Sequence, residues 1–119
     1  MIFSDKLNRM TMNEYQASAH ETSHNIKIGG ETLLYPVLGL AGESGELANK
    51  VKKIYRDDVG VLSDVRRDEI ADELSDCLWY LAEIATQLNF DLNDIAAGNL
   101  HKLADRASRG VIGGSGDER

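Results

Sequence analysis

The sequence predicts an all-α protein, a bundle of four helices, on three observations. Proline occurs once in 119 residues, so little interrupts a helix. The longer stretches favour helix formers over β-branched runs. Two long segments repeat apolar residues at three- and four-residue spacing, the period of a helix with one buried face.

Taken in order, Thr11-Met12-Asn13-Glu14 has the form of a capping box and starts a first helix that runs to about His24. Gly29-Gly30 marks residues 25 to 32 as a loop. A second helix begins near Leu33, with Pro36 tolerated in its first turn, and ends around Arg56 before the turn signal Asp57-Asp58-Val59-Gly60. Leu33, Val37, Leu40, Leu47, Val51 and Ile54 give it an apolar stripe, and Glu43, Glu46, Lys50 and Lys53 an adjacent one. Ser63 caps a third helix to about Leu88, on which Ile70, Leu74, Cys77, Leu81, Ile84 and Leu88 form a bundle seam. Glu69, Asp72, Glu73, Asp76, Tyr80 and Glu83 lie on its other side. Asp91 caps a fourth helix, from about Leu92 to Ser108, and Gly110 stops it. One helical domain thus spans 1–110, followed by a Gly-rich tail, 111–119, flexible by composition.

A net charge of −7 opposes non-specific binding to nucleic acid, which needs a basic surface. It leaves room for a nucleotide ligand, because a bound metal inverts the local field. No apolar run approaches the roughly 20 residues of a membrane span, and the N-terminus lacks a signal-peptide core. Cys77 is the sole cysteine, which excludes an internal disulfide and a thiolate metal site. A cytoplasmic protein without a membrane partner is expected.

Two acidic pairs carry the chemistry. Glu43 and Glu46, then Glu73 and Asp76, each stand at i,i+3, one turn apart on one helix face. On neighbouring antiparallel helices they would crowd four carboxylates into one volume, an arrangement that persists around a cation. Oxygen-only ligands favour Mg²⁺, with Mn²⁺ as a substitute. The competing reading is a solvated acidic face. Against it, Gly39, Ala41, Gly42 and Gly45 surround the first pair, and such small residues admit a helix or ligand closely.

Four further patterns bear on function. His20-Glu21-Thr22-Ser23-His24 matches the zinc-peptidase pattern, but sits at a helix end with two hydroxyl residues inside it. A di-iron carboxylate bundle fails on ligand type, since neither acidic pair includes histidine. Trp79-Tyr80 follows the second pair and reads as core aromatics or as a stacking platform, with Tyr80 one turn beyond Asp76. Asn99, Lys102 and Arg106 form one polar stripe, solvated or gripping phosphate. A non-enzymatic helical interaction module is the remaining alternative.

Gly39-Leu40-Ala41-Gly42-Glu43-Ser44-Gly45-Glu46, then Glu73-Leu74-Ser75-Asp76 after a gap of 26 residues, resemble the paired motifs of the MazG-like nucleoside triphosphate pyrophosphohydrolases. Asn99-Leu100-His101-Lys102-Leu103 with Arg106 is similar to the segment that follows in that family, and Asn13-Glu14-Tyr15-Gln16 and the tail look like its short phage-type or stand-alone bacterial members. The resemblance implies an all-α pyrophosphohydrolase assembling as a homodimer or homotetramer, with Trp79 at such an interface. The substrate it implies is a nucleoside triphosphate, a deoxy one in particular, cleaved to the monophosphate and pyrophosphate. It assigns Mg²⁺ to Glu43, Glu46, Glu73 and Asp76, with Glu43 and Glu46 also catalytic. Gln16, Lys53, Tyr80, Asn99, Lys102 and Arg106 become candidates for substrate binding, and the tail a flap over the triphosphate. One departure stands out: Gly42 replaces the first glutamate of the family's Glu-Glu pair. That shifts any task of the missing acid to Glu43, Glu46 or metal-bound hydroxide.

Overall fold

Local signals place each long helix. The structure, a computed structural model, describes residues 5–110, so the expected tail flap lies outside the described residues. A single turn, α1 (Asp5–Asn8), comes first and was not anticipated. In α2 (Met12–Glu21) the capping box closes both ways: Glu14 N–H donates to Thr11 Oγ1 at 3.1 Å, and Thr11 N–H to Glu14 Oε1 at 3.3 Å. The helix ends before the expected His24. Thr22 is its C-cap and donates its hydroxyl to the Ala19 carbonyl at 2.7 Å, a local bond that competes with further helix.

A short connection follows, in which Gly29 (φ 65) and Gly30 (φ 85) turn the chain between the bridged residues Ile28 and Glu31. Two consecutive left-handed residues are what a tight turn of this hand demands, and glycine meets that demand without strain. The helices α3 (Leu34–Asp57) and α4 (Asp64–Gln87) then form a long antiparallel hairpin. Pro36 falls in the first turn of α3 and is buried there. Ser63 Oγ accepts from Arg66 N–H at 3.2 Å to cap α4. The last helix, α5 (Leu92–Arg109), begins at Asp91, which has N-cap backbone geometry without a side-chain cap bond, and closes on Gly110 in the left-handed conformation.

The protein is therefore all-α, with four long helices and no strand among the described residues. The α2 helix rests on α4 and α5, and α5 on α2 and α4; α3 and α5 do not pack on each other among the described residues. Ala82, Ala85 and Leu92 form the small core, with Tyr15 packed against it. Gln16 holds this corner together. Its amide donates to the Phe90 carbonyl at 2.8 Å and Thr86 Oγ1 at 3.1 Å, and its oxygen accepts from Leu92 N–H at 2.8 Å. A second tie is the buried Glu83, which pairs with His20 Nδ1 at 3.1 Å and accepts from Gln87 Nε2 at 3.0 Å.

One expectation needs correction. Leu74, Leu81 and Leu88 of the α4 seam are exposed in the single chain, whereas Ala82, Glu83 and Ala85 are buried. The reason is that α2 docks on the small-residue face of α4. Periodicity marks apolar stripes but does not choose which one a neighbour covers.

Candidate metal centre

Each half of the site is set by helical spacing. On α3, Tyr35, Gly39 and Glu43 follow one another at intervals of four; on α4, Glu73, Asp76 and Tyr80 follow at three and four. The hairpin brings these stripes face to face. One carboxylate oxygen each from Glu43, Glu73 and Asp76 lie within 4.8 Å of one another. Glu43 and Glu73 are half-buried and Asp76 is exposed. The Glu43 carboxyl is held above its ordinary range, by partial burial first, then by Asp76, by a hydrogen bond and charge from Glu73, and by the charge of Glu46. Crowded anions with oxygen-only donors fit a hard divalent cation.

Aromatic residues line one end of this cluster. The Tyr80 ring lies 6.4 Å from that of Tyr35, tilted by 58°, and 5.0 Å from that of Trp79, edge-on at 90°. Burial raises the Tyr80 phenol, followed by the charge of Tyr35, a hydrogen bond with Tyr35, and the charges of Glu43 and Asp76. Tyr15 is likewise raised, by burial and then by Asp76, which sets a third phenol near the acids. Trp79 spends its indole N–H on Thr22 Oγ1 at 2.8 Å.

The remaining candidates are dispersed. Glu46 is exposed and lies outside the three-carboxylate group, though its charge reaches Glu43. Lys53 is half-buried on α3, within electrostatic reach of Asp57. Gln16, expected as a substrate ligand, has its amide committed to the α2–α4–α5 corner. Asn99 and Lys102 are exposed on α5, and Arg106 is 5 % exposed. The zinc pattern comes apart: α2 stops at Glu21, so His24 leaves the helical face of His20, whose Nδ1 faces Glu83. Neither histidine belongs to a metal-capable group among the described residues.

Sequence reasoning did not single out Tyr35 or Tyr15, nor Lys50 as a neighbour of Glu73, whose Oε1 lies 4.0 Å from Lys50 Nζ. The signal for Lys50 was its place on the Glu43–Glu46 stripe. Tyr35 had one too, eight residues before Glu43 on the same face.

Fold and site together define an all-α protein with a cation-ready carboxylate cluster spanning a helix hairpin. The chain belongs to the MazG family, since the MazG nucleotide pyrophosphohydrolase domain matches residues 31–111. That span takes in both site helices and α5, and leaves out α2 with Gln16. The chain is also 46 % identical over 114 residues to the Gene 37 protein of Mycobacterium phage L5, covering 92 % of this chain and 100 % of that protein. No solved structure matches. Membership suggests nucleoside triphosphate pyrophosphohydrolase activity. No described helix is long and apolar enough to cross a membrane.

Proposed function

We propose that this protein hydrolyses nucleoside triphosphates, deoxynucleotides in particular, between the α- and β-phosphates, with Mg²⁺ as cofactor and Mn²⁺ as substitute. The products are the nucleoside monophosphate and pyrophosphate. The observation that carries this reading is the convergence of Glu43, Glu73 and Asp76 oxygens to within 4.8 Å across two helices of a MazG-family chain. Those three side chains would hold the ion, with Glu46, one turn from Glu43, as the fourth carboxylate. Bound Mg²⁺ supplies charge neutralisation of the phosphates and activation of water for attack on the α-phosphorus.

The chain's own residues do the rest. With glycine at position 42, the attacking water gives its proton to a carboxylate oxygen of Glu43 or Glu46. Lys50 and Lys53 follow on the same α3 stripe and offer their ammonium groups to the phosphates, stabilising charge on the departing pyrophosphate. Tyr80 flanks the nucleoside. Asn99, Lys102 and Arg106 of α5 remain candidates to grip the phosphates, in a protein that assembles as a homodimer or homotetramer. The reaction belongs in a bacterial or phage-infected cytoplasm, in control or housecleaning of nucleotide pools.

Incubation with each dNTP and Mg²⁺ tests this directly. Monophosphate and pyrophosphate are expected. Orthophosphate as the product, or undiminished turnover by Glu73→Ala, would refute it.

A further inference from the structure

We infer that Gly39 is a positioning residue for the nucleoside end of the site: its missing side chain lets the Tyr80 ring cross from α4 onto the backbone of α3, one helical turn from Glu43 and Asp76. This rests on the nucleotide-hydrolase reading above. A Cβ at Gly39 would fall against Cδ1, Cε1 and Cζ of Tyr80, closer than any side chain permits. The other α3 glycines differ, for a Cβ at Gly42 or Gly45 meets nothing within 4 Å. A glycine inside a helix costs roughly 1 kcal/mol relative to alanine. At position 39 the ring gives a physical reason for it.

The same ring is fixed on its other sides by Tyr35 and Trp79. Gly39 stands four residues before Glu43, and Tyr80 four residues after Asp76, so the ring occupies the layer next to the carboxylates on both helices. A side chain at position 39 drives the ring off α3 and takes the phenol away from Glu43 and Asp76. The carboxylate spacing is set by neighbouring turns and stays. Gly39→Ala should therefore weaken nucleotide binding without weakening cation binding.

The test compares wild type, Gly39→Ala, Tyr80→Ala and the double variant. Mn²⁺ affinity is measured by electron paramagnetic resonance, and affinity for α,β-imido deoxynucleoside triphosphates with Mg²⁺ by calorimetry. Gly39→Ala should weaken analogue binding about five- to tenfold, the scale of one partly lost base–aromatic contact. It should leave Mn²⁺ affinity within about twofold and add nothing in the Tyr80→Ala background. Unchanged analogue affinity, equal losses in both backgrounds, or a parallel loss of Mn²⁺ affinity would overturn the inference. If Gly39→Ala does not fold, recovery of folding in the double variant with weakened analogue binding by Tyr80→Ala supports it, and absence of recovery overturns it. A wild type that binds the analogues but releases no pyrophosphate from dNTPs sinks the proposed reaction and leaves the Gly39 result standing. A wild type that binds no analogue sinks both.

Discussion

Just past the ends of α3, α4 and α5 the chain turns through left-handed residues, and three different residue types meet that demand: Val59 (φ 55), Asn89 (φ 60) and Gly110 (φ 72). Glycine adopts the conformation freely and asparagine tolerates it, but a β-branched residue is strained there. Val59 is 90 % exposed, so little packing offsets the strain. The left-handed conformation costs a non-glycine residue roughly 1–2 kcal/mol, of which glycine's looser unfolded chain returns roughly 0.4–1 kcal/mol. Val59→Gly should stabilise by about 0.5–1 kcal/mol and raise Tm by roughly 2–5 °C; an unchanged or lower Tm would count against strain at this turn. Glu43 offers a second residue-level prediction. Its pKa is raised from an ordinary 4.5, so the folded chain binds that proton more tightly than the unfolded one. The stability this adds is full below the ordinary value and is lost as pH rises through the raised one. Without divalent cation, wild type should lose more Tm over that rise than Glu43→Gln does. Saturating Mg²⁺ should reverse the ranking, because the variant lacks a ligand.

Among the elements, α2 depends most on a few polar bonds. Gln16 is buried, and removing its amide strands the Leu92 N–H and the Phe90 carbonyl. A buried backbone group left unsatisfied costs roughly 1–3 kcal/mol, so Gln16→Ala should destabilise by about 2–4 kcal/mol in denaturant titrations. If Gln16 serves structure alone, KM for dNTP stays near wild type; a large rise in KM with little loss of stability would restore it as a substrate ligand. The capping box and the Ser63 cap were legible in the sequence because they are local bonds between residues three apart. The placing of Glu73 and Asp76 on one face was legible for the same reason, since i,i+3 spacing fixes it before any tertiary contact forms, whereas Glu46 lies outside the group that Glu43 joins. What stayed hidden required knowing how α3 sits on α4. Gly39 read as one small residue among several until Tyr80 was seen standing on it, while Gly42 and Gly45 proved to face open space. The histidine pattern was misleading because Thr22 ends the helix inside the motif.

At the scale of the whole molecule, a small core contrasts with much uncovered apolar surface. Ala82, Ala85 and Leu92 are its centre, whereas Leu74 and Leu81 of α4, Leu88 at its C-cap, and Val37, Leu38 and Val51 of α3 remain exposed. These residues belong to helices that also carry the carboxylates, so a second copy covering them would sit close to the site. Burying such a side chain contributes roughly 1.5–3 kcal/mol. A handful of them therefore suffices to make assembly and folding inseparable, and Tm should rise with protein concentration. Leu81→Glu puts a charge into the proposed interface, where it would be desolvated without a partner. Analytical ultracentrifugation should find wild type as a dimer or tetramer and Leu81→Glu shifted toward monomer, with a lower and less concentration-dependent Tm. Because the exposed apolar residues of α3 and α4 lie on the helices that carry the carboxylates, dissociation should raise KM for dNTP while Mn²⁺ still binds the intra-chain carboxylates. Wild type that sediments as a monomer at every concentration, with full activity, would refute both the assembly and its link to the site.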